Sequence, residues 1–272
     1  MLLISFKSMI SSLNPRFSFI SSVLPETAQH LQEGVGVDAV YKDTKGYLAE
    51  ADIAANDFLV DQISQSFPDD LILSEEIENT ASLGRADDVY VWIIDPICGT
   101  TNYLRNIPFY VHSVCVLNDE GVLYAGIYDS NRNELFLADR RQTTLNGENV
   151  RVSEIDNLGE AIVAVNCNQS DVRVGRASIE TIVGKFAPPV TRRVKIFESA
   201  NLELAYVACG RLDAYLNPND RVWDIAAGSL MIHSAGGLTS IMNGSINPLE
   251  YNVEGVVGSN NYLMEPLLQN LK

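Results

Sequence analysis

One stretch of the sequence, residues 89–102, constrains the fold more than any other. The run Val89–Ile94 is apolar throughout, which is typical of a buried strand. It ends at Asp95, and we expect Pro96 to end the strand because proline has no N–H to donate to a neighbouring strand. A Gly-Thr-Thr sequence follows at 99–101, with small side chains and free backbone amides at a predicted helix start. A carboxylate beside such amides is typical of a metal and phosphate site, although an ordinary strand–turn–helix corner has the same pattern.

The charge of the chain limits its partners. The formal net charge is −16, which argues against nucleic acid or an anionic membrane as the main partner, because phosphate backbones require Lys and Arg. A small phosphate substrate is still compatible with this charge if bound cations mediate the contact. No apolar run reaches the roughly 18 residues that span a bilayer. The four cysteines form no CxxC pair, which favours a reducing compartment, and we expect a cytoplasmic protein.

Apolar spacing and turn residues predict alternating helices and strands. Helices are predicted at about 17–32, 51–67, 179–186, 199–209, 224–235 and 262–271, and strands at about 71–73, 89–94, 111–117, 122–128, 134–138, 161–165, 194–197 and 256–257. Pro15 and Pro25 are expected to limit the first helix, and Ser199 to cap the fourth. A boundary near 145–155 would divide the chain into an N-terminal α+β half, 1–150, and a C-terminal α/β half, 151–272, packed tightly enough to count as one domain.

Three acidic residues stand at the ends of predicted elements. Glu75 follows one strand, Asp95 follows another, and Asp224 begins a helix. A hard divalent cation needs several oxygen ligands, and strand ends and helix starts are rigid positions for them. Each acid alone is more often a cap or a surface group. Together with the Gly-Thr-Thr sequence, the three predict a metal-dependent phosphoryl-transfer site.

Four motifs in order resemble a known family. Residues 92–103, Trp-Ile-Ile-Asp-Pro-Ile-Cys-Gly-Thr-Thr-Asn-Tyr, are similar to the first signature of the inositol monophosphatase family, and residues 223–228, Trp-Asp-Ile-Ala-Ala-Gly, to its second. Segments 49–52 and 74–76 match shorter motifs, and the spacing agrees from about Lys42 to the C terminus. The resemblance implies an α+β fold, a layered αβαβα sandwich of the inositol monophosphatase and fructose-1,6-bisphosphatase type. It also implies a homodimer with Mg²⁺-dependent phosphomonoesterase activity, which lithium inhibits in many members.

The resemblance further implies roles for individual residues. Glu75, Asp95 and the Ile97 carbonyl would hold a first Mg²⁺, and Asp95, Asp224 and Cys98 a second. Glu75 and Thr100 would position and help deprotonate the attacking water, with Asp52 hydrogen-bonded to Thr100. The implied substrate-binding set is Cys98, Gly99, Thr100, Ser199, Ala200 and Asn217. Mg²⁺ lowers the pKa of water and neutralises phosphate, so this chemistry requires no covalent nucleophile.

Cys98 departs from the family signature, which has Asp at this position. A thiolate is a soft ligand and a neutral thiol ligates poorly, whereas Mg²⁺ is a hard cation. A helix N terminus and nearby cations would lower the pKa of the thiol. Three alternatives follow: a weakened second metal site and a slow enzyme, a site for Mn²⁺ or Zn²⁺, or a protein that has lost catalysis and kept a binding or regulatory role. Oxidation of such a thiol would also switch the site off.

Two further positions bear on the substrate. Inositol-specific members have a glutamate seven residues before the aspartate of the second signature, and this chain has Asn217 there. Glu198 replaces the usual glycine before Ser199 and Ala200. Both changes argue against inositol monophosphate. They leave a small phosphorylated alcohol, sugar or nucleotide as the expected partner.

Overall fold

The computed structural model describes residues 14–34, 39–42, 46–76, 89–166, 179–218, 220–241 and 255–272. The helices are α1 (Pro15–Gly34), α2 (Glu50–Ser66), α3 (Thr100–Leu104), α4 (Ile179–Phe186), α5 (Ala200–Ala208), α6 (Val222–Ser234) and α7 (Met264–Leu271). The strands are β1 (Ala39–Lys42), β2 (Gly46–Ala49), β3 (Leu71–Ser74), β4 (Val91–Cys98), β5 (Val111–Asn118), β6 (Gly121–Asp129), β7 (Glu134–Asp139), β8 (Thr143–Leu145), β9 (Glu148–Val150), β10 (Ile162–Val165), β11 (Arg193–Lys195), β12 (Ala214–Asn217), β13 (Leu238–Ile241) and β14 (Val256–Ser259).

Two large sheets organise these strands. The first has seven strands in the order β3-β4-β5-β6-β7-β8-β9, in which only the β3–β4 pair is parallel. The second has five strands in the order β11-β10-β12-β14-β13, with β10 parallel to both of its neighbours. Strands β1 and β2 form a separate hairpin. The seven-stranded sheet is therefore mostly a meander, whose short connections keep consecutive strands adjacent.

The helices form three layers around the two sheets. One face of the seven-stranded sheet packs against α1 and α2, with Leu24 and Leu59 beside Trp92. Its other face shares a core cluster with α5 and α6, and the same cluster reaches Tyr215 in the five-stranded sheet. The far face of that sheet packs against α4 and α7 through Phe186 and Leu267. The observed order of layers is αβαβα, which confirms the predicted fold class.

Strand β4 differs from its prediction because it continues through Pro96 to Cys98. The pairing of β4 with β5 shifts register between Asp95 and Cys98, so Pro96 lies in an irregular step where no ladder N–H is needed. The Pro96 carbonyl oxygen lies 2.6 Å from Nδ1 of the buried His112. Since a carbonyl only accepts, that nitrogen carries the proton.

Helix α1 also differs, because it contains Pro25 rather than stopping near it. Proline removes one helical hydrogen bond. Burial of Ile20, Leu24 and Leu31 on the inner face of the helix offsets this cost. Pro15 occupies the first helical position, where proline is well tolerated.

The predicted boundary at 145–155 coincides with the change of sheet, since β9 ends the first sheet and β10 begins the pairing of the second. The division into two halves stays a prediction. Among the described residues, no helix is long and apolar enough to cross a membrane.

The contact between β6 and α1 is a sensitive test of this packing. A Cβ atom on Gly126 would lie 2.3 Å from Cγ2 of Ile20 and 2.7 Å from Cδ1 of Leu24. We expect Gly126→Ala to lower the free energy of unfolding by about 1–3 kcal/mol through overpacking, measured by urea denaturation.

Gly184 is the matched control, because a Cβ atom there would meet nothing within 4 Å. Gly184→Ala in α4 should instead raise stability by about 0.5–1 kcal/mol, since alanine has less conformational entropy to lose. Equal effects of the two substitutions would contradict the described packing of α1 on the sheet.

Candidate active site

The carboxylate of Asp95 lies at the centre of the candidate site. It is 1% exposed and stands on β4 at the register shift. Its Oδ2 atom accepts a hydrogen bond of 3.0 Å from Nδ2 of Asn201 on α5. Its Oδ1 atom is buried and has no hydrogen-bond partner among the described residues. A buried acceptor without a donor is costly, so this oxygen is a strong candidate for binding a cation or water.

Thr100 and Asp52 make the contact that the resemblance implied. Oγ1 of Thr100 lies 3.2 Å from Oδ1 of Asp52 and 3.2 Å from the Ile97 carbonyl oxygen. The hydroxyl has one proton, so it donates to one of these acceptors at a time. Asp52 is buried in the first turn of α2, and a negative charge there is favoured by the helix dipole.

Glu75 and Asp224 approach Asp95 from two other elements. The backbone N–H of Glu75 donates to the Ile94 carbonyl at 3.2 Å, which places Glu75 beside the end of β4. Helix α6 begins at Val222, two residues earlier than predicted, and Asp224 lies in its first turn. Oδ2 of Asp224 accepts the backbone N–H of Arg221 at 2.7 Å. This capping bond fixes the carboxylate at the helix start.

The three carboxylates share one electrostatic environment. Burial, followed by repulsion from Asp224, raises the pKa of Asp95 well above its ordinary value. Burial also raises the pKa of Asp224 to about 6. Removal of the Glu75 carboxylate from water raises its pKa most, and repulsion from Asp95 and Asp224 raises it further.

Glu75 is partly accessible to solvent, because its residue surface is exposed, while its carboxyl group lies among protein atoms. Repulsion from the two nearby carboxylates raises its pKa in either surrounding.

The donor set fits a divalent cation in its chemistry. Glu75, Asp95, Asp224 and the Ile97 carbonyl offer only oxygen, which Mg²⁺ prefers. A cation would also relieve the repulsion that raises the pKa values of Glu75 and Asp95, and it would give Asp95 Oδ1 a partner. As the side chains stand, no three Asp, Glu, His or Cys residues in the described part of the chain are grouped closely enough to hold a metal ion. The side chains must therefore move to close around one.

Cys98 is buried in this environment. It is 5% exposed, and its Sγ atom accepts the backbone N–H of Asn201 at 3.3 Å. Burial, followed by repulsion from Asp95 and Asp224, raises the pKa of the thiol well above its ordinary value. The carboxylates around Cys98 act against the predicted lowering of the thiol pKa, and the effect of bound cations stays a prediction.

Ser199 and Ala200 lie against the Gly99 turn. Ser199 occupies the N-cap position of α5, as predicted, but its hydroxyl donates to the Cys98 carbonyl at 2.8 Å instead of making a capping hydrogen bond. A Cβ atom on Gly99 would lie 3.1–3.3 Å from the Phe109 carbonyl, the Glu198 carbonyl and the Ser199 side chain. Gly99 has φ +105°, which is unfavourable for other residues. The turn therefore needs glycine both for its backbone conformation and for this close contact.

Asn217 lies at the end of β12. Its side-chain amide donates to the hydroxyl of Tyr215 at 3.2 Å and to the carboxylate of Asp220. The role of Asn217 in substrate binding stays a prediction.

Three polar residues near the site were missed from the sequence. Asn201 contacts both Asp95 and Cys98. Glu203 is fully buried and accepts hydrogen bonds from the Ser199 N–H at 3.2 Å and from the Asn166 side chain. The available signal was the presence of Asn201 and Glu203 in the otherwise apolar helix 200–208. Such residues must find buried partners, but only the fold shows which.

A separate cavity is lined by residues of α6 and of neighbouring elements. It has a volume of about 410 Å³ and is lined by Val222, Ile225 and Ser229 of α6 together with Arg140 and Thr239, among others. None of the predicted site residues lines it. We therefore locate the candidate active site by its chemistry rather than by the volume of the cavity.

Comparisons with known proteins agree on one family. The model of the inositol monophosphatase family matches residues 18–272. The Nus factor SuhB of Escherichia coli K12 is 33% identical over 249 residues, which are 90% of each chain. The Nus factor SuhB of Pseudomonas aeruginosa is 34% identical over 212 residues, 77% of each chain.

Solved structures show the same architecture. The IMPase of Thermotoga maritima has a TM-score of 0.81 at 28% identity, covering 95% of this chain and 97% of its own. The extragenic suppressor protein suhB of Bartonella henselae has a TM-score of 0.83 at 25% identity, covering 95% and 99%. An IMPase/NADP phosphatase complexed with Mg²⁺ and phosphate reaches 0.79 at 20% identity, covering 100% and 97%, and this likeness concerns the fold alone.

The pKa of Glu203 leads to a prediction about stability. Burial raises it from 4.5 to about 8, so the folded state holds this proton more tightly than the unfolded state. The resulting stabilisation is complete below about pH 4.5 and is lost as the pH rises to about 8. Glu203→Gln removes this dependence. Between pH 5 and pH 9 in EDTA, we expect the stability of the variant to rise relative to wild type by a few kcal/mol, at about 1.4 kcal/mol per pKa unit.

Urea denaturation at several pH values measures this difference. The exposed Glu148→Gln changes the net charge equally and should show no such trend. A parallel pH dependence of wild type and Glu203→Gln would contradict the raised pKa.

Proposed function

The chain belongs to the inositol monophosphatase family, and we propose that it hydrolyses a small phosphate monoester with water that a divalent cation activates. The observation that carries this proposal is the buried, unpartnered Oδ1 of Asp95 beside Glu75 and Asp224. Thr100 follows Asp95 by five residues, and its hydroxyl contacts the buried carboxylate of Asp52. Metal ligands and a positioned hydroxyl are therefore combined at one turn. The homodimer stays a prediction.

Glu75, Asp95, Asp224 and the Ile97 carbonyl would hold the cation. When bound, Mg²⁺ lowers the pKa of a water molecule and neutralises charge on the phosphate. The proposed ligands are all oxygen atoms, which suit Mg²⁺ and Mn²⁺, whereas a thiolate at Cys98 would favour Zn²⁺. We propose Mg²⁺ as the natural cation, with Mn²⁺ as a hard substitute.

Thr100, Asp52 and Glu75 would direct the attacking water. When Thr100 donates its proton to Asp52, its lone pairs are left to accept a hydrogen bond from water. The carboxylate of Glu75 would receive the proton that the water gives up, and its raised pKa suits that role. Asp52 would act through Thr100 and is a positioning residue.

The substrate would bind at the Gly99 turn. The backbone amides of 98–100 would face the phosphate, and Ser199 and Ala200 would line the adjoining surface, since they pack directly on this turn. Asn217 stands where inositol-specific members of the family have a glutamate, and Glu198 replaces the usual glycine. The proposed substrate is therefore a small phosphorylated alcohol, sugar or nucleotide other than inositol monophosphate.

A direct assay tests the proposal. We expect purified protein to release inorganic phosphate from at least one member of a panel of sugar, alcohol and nucleotide monoesters when Mg²⁺ or Mn²⁺ is present. EDTA should abolish the release. Absence of metal-dependent turnover on the whole panel would contradict the proposed function.

Thr100→Val separates the role of the hydroxyl from metal binding. The substitution preserves shape but removes the group that positions water, so kcat should fall by roughly 100-fold with KM little changed. Thr101→Val is the matched control, because Thr101 is the exposed neighbour on α3 and should keep wild-type activity. An unchanged kcat in Thr100→Val would exclude Thr100 from the mechanism.

A second candidate function is a binding or regulatory role without catalysis. It is favoured by the cysteine at position 98, where the family signature has a carboxylate, and by relatives that bear the name Nus factor. In this case the scaffold would keep the family fold while its second cation site lacks a carboxylate.

Cys98→Asp distinguishes the two functions. Because the substitution supplies an anionic oxygen, we expect Mg²⁺-dependent turnover to rise by roughly tenfold or more. An inert wild type with an active variant would support the second function. A wild type as active as the variant would contradict it.

A further inference from the structure

A second unpartnered oxygen lies next to Asp95. Oδ1 of Asn201 is buried and has no hydrogen-bond partner among the described residues, as is also true of Oδ1 of Asp95. The two side chains are hydrogen-bonded to each other at 3.0 Å through Nδ2 and Oδ2. Two orphaned acceptors therefore belong to one hydrogen-bonded pair, and Asn201 itself is 0% exposed. Such a pair requires an explanation, because each lone acceptor destabilises the folded state.

The orientation of the Asn201 amide is determined by its surroundings. Nδ2 donates to Oδ2 of Asp95 at 3.0 Å and to the Trp223 carbonyl at 3.0 Å. A flipped amide would place its oxygen against these two acceptors, which cannot donate to it. The oxygen is thus the atom left without a partner. Trp223 precedes Asp224, so the amide lies between the acid of β4 and the acid of α6.

The charges nearby favour a cation as the missing partner. Asp95 and Asp224 are two carboxylates, which would repel an anion and attract a cation. An amide oxygen is a hard, neutral ligand that Mg²⁺, Mn²⁺ and Ca²⁺ accept. Sulfur, which Cys98 offers, is a poor ligand for the same ions.

The position of Asn201 relates it directly to Cys98. The backbone N–H of Asn201 donates to Sγ of Cys98 at 3.3 Å, so the two residues lie in contact at the start of α5. We propose that the side-chain oxygen of Asn201 ligates the cation on the side where Cys98 offers no carboxylate. This inference rests on the proposed function and assigns a metal ligand outside the motifs of the sequence.

Mn²⁺ binding to the full chain tests this assignment without any assay of activity. The paramagnetic resonance signal of free Mn²⁺, recorded during titration at pH 8, gives both affinity and stoichiometry. We expect Asn201→Ala to weaken Mn²⁺ binding by roughly tenfold or more, because it removes an oxygen ligand. Circular dichroism and thermal unfolding confirm that each variant is folded.

Two further variants make the result specific. Asn201→Asp keeps an oxygen but loses both amide donors, so it should bind Mn²⁺ at least as tightly as wild type. Asn166→Ala is the matched control, since Asn166 is another buried asparagine whose amide contacts a carboxylate, Glu203, while its own oxygen accepts the Glu198 N–H at 3.3 Å. It should leave the Mn²⁺ affinity unchanged.

The opposite results would overturn the inference. If Asn201→Ala binds Mn²⁺ as tightly as wild type, the amide is not a ligand. If both Asn201 variants bind weakly, the NH₂ group acts by positioning Asp95, and the oxygen is not a ligand. A wild type that does not bind Mn²⁺ also contradicts it.

The inference and the proposed function can fail separately. Metal-dependent hydrolysis together with unaltered Mn²⁺ binding in Asn201→Ala would retain the function and reject the ligand. Mn²⁺ binding that depends on Asn201, without hydrolysis of any monoester, would retain the ligand and reject the function.

Discussion

The burial of the Asp95 carboxylate is the constraint on which the rest of the site depends. Removing a carboxylate from water is strongly unfavourable unless hydrogen bonds or a positive charge compensate. One oxygen of Asp95 has the amide of Asn201, and the other has no partner in the described structure. The acids Glu75 and Asp224 add repulsion rather than relief. A site of this kind is arranged to receive positive charge.

The layered fold makes this burial sustainable. Helices α5 and α6 lie between the two sheets, and each delivers a polar residue to Asp95 from an otherwise apolar surface. Their close approach depends on Gly228, because a Cβ atom there would lie 2.4 Å from Cβ of Leu204. The last glycine of the Trp-Asp-Ile-Ala-Ala-Gly motif is therefore a packing requirement. It allows the helix that bears Asp224 to sit beside the helix that bears Asn201.

Cys98 and Asn201 are best understood together. Cys98 removes a negative charge from a site already rich in carboxylates, and its thiol accepts the N–H of Asn201. Asn201 brings one oxygen and two donors to the same place. The pair changes the local donor set without disturbing the turn at Gly99, whose contacts with the Ser199 segment are retained. A substitution in a signature motif need not abolish a site when a neighbour on another element can compensate.

The sequence by itself determined the family, the layered α+β fold and most helices and strands. It also determined the motifs that bear Glu75, Asp95, Thr100 and Asp224. Both were possible because apolar periodicity and motif spacing are local properties of the chain. It did not reveal the short strands β1, β2, β8, β9, β12 and β13. It also missed the passage of β4 through Pro96, which depends on a register shift against β5. Only the tertiary structure decided the burial of Cys98 among carboxylates, the partner of Ser199 and the contacts of Asn201. Each of these depends on groups about 100 residues away in the chain, and burial and charge act through space rather than along the sequence.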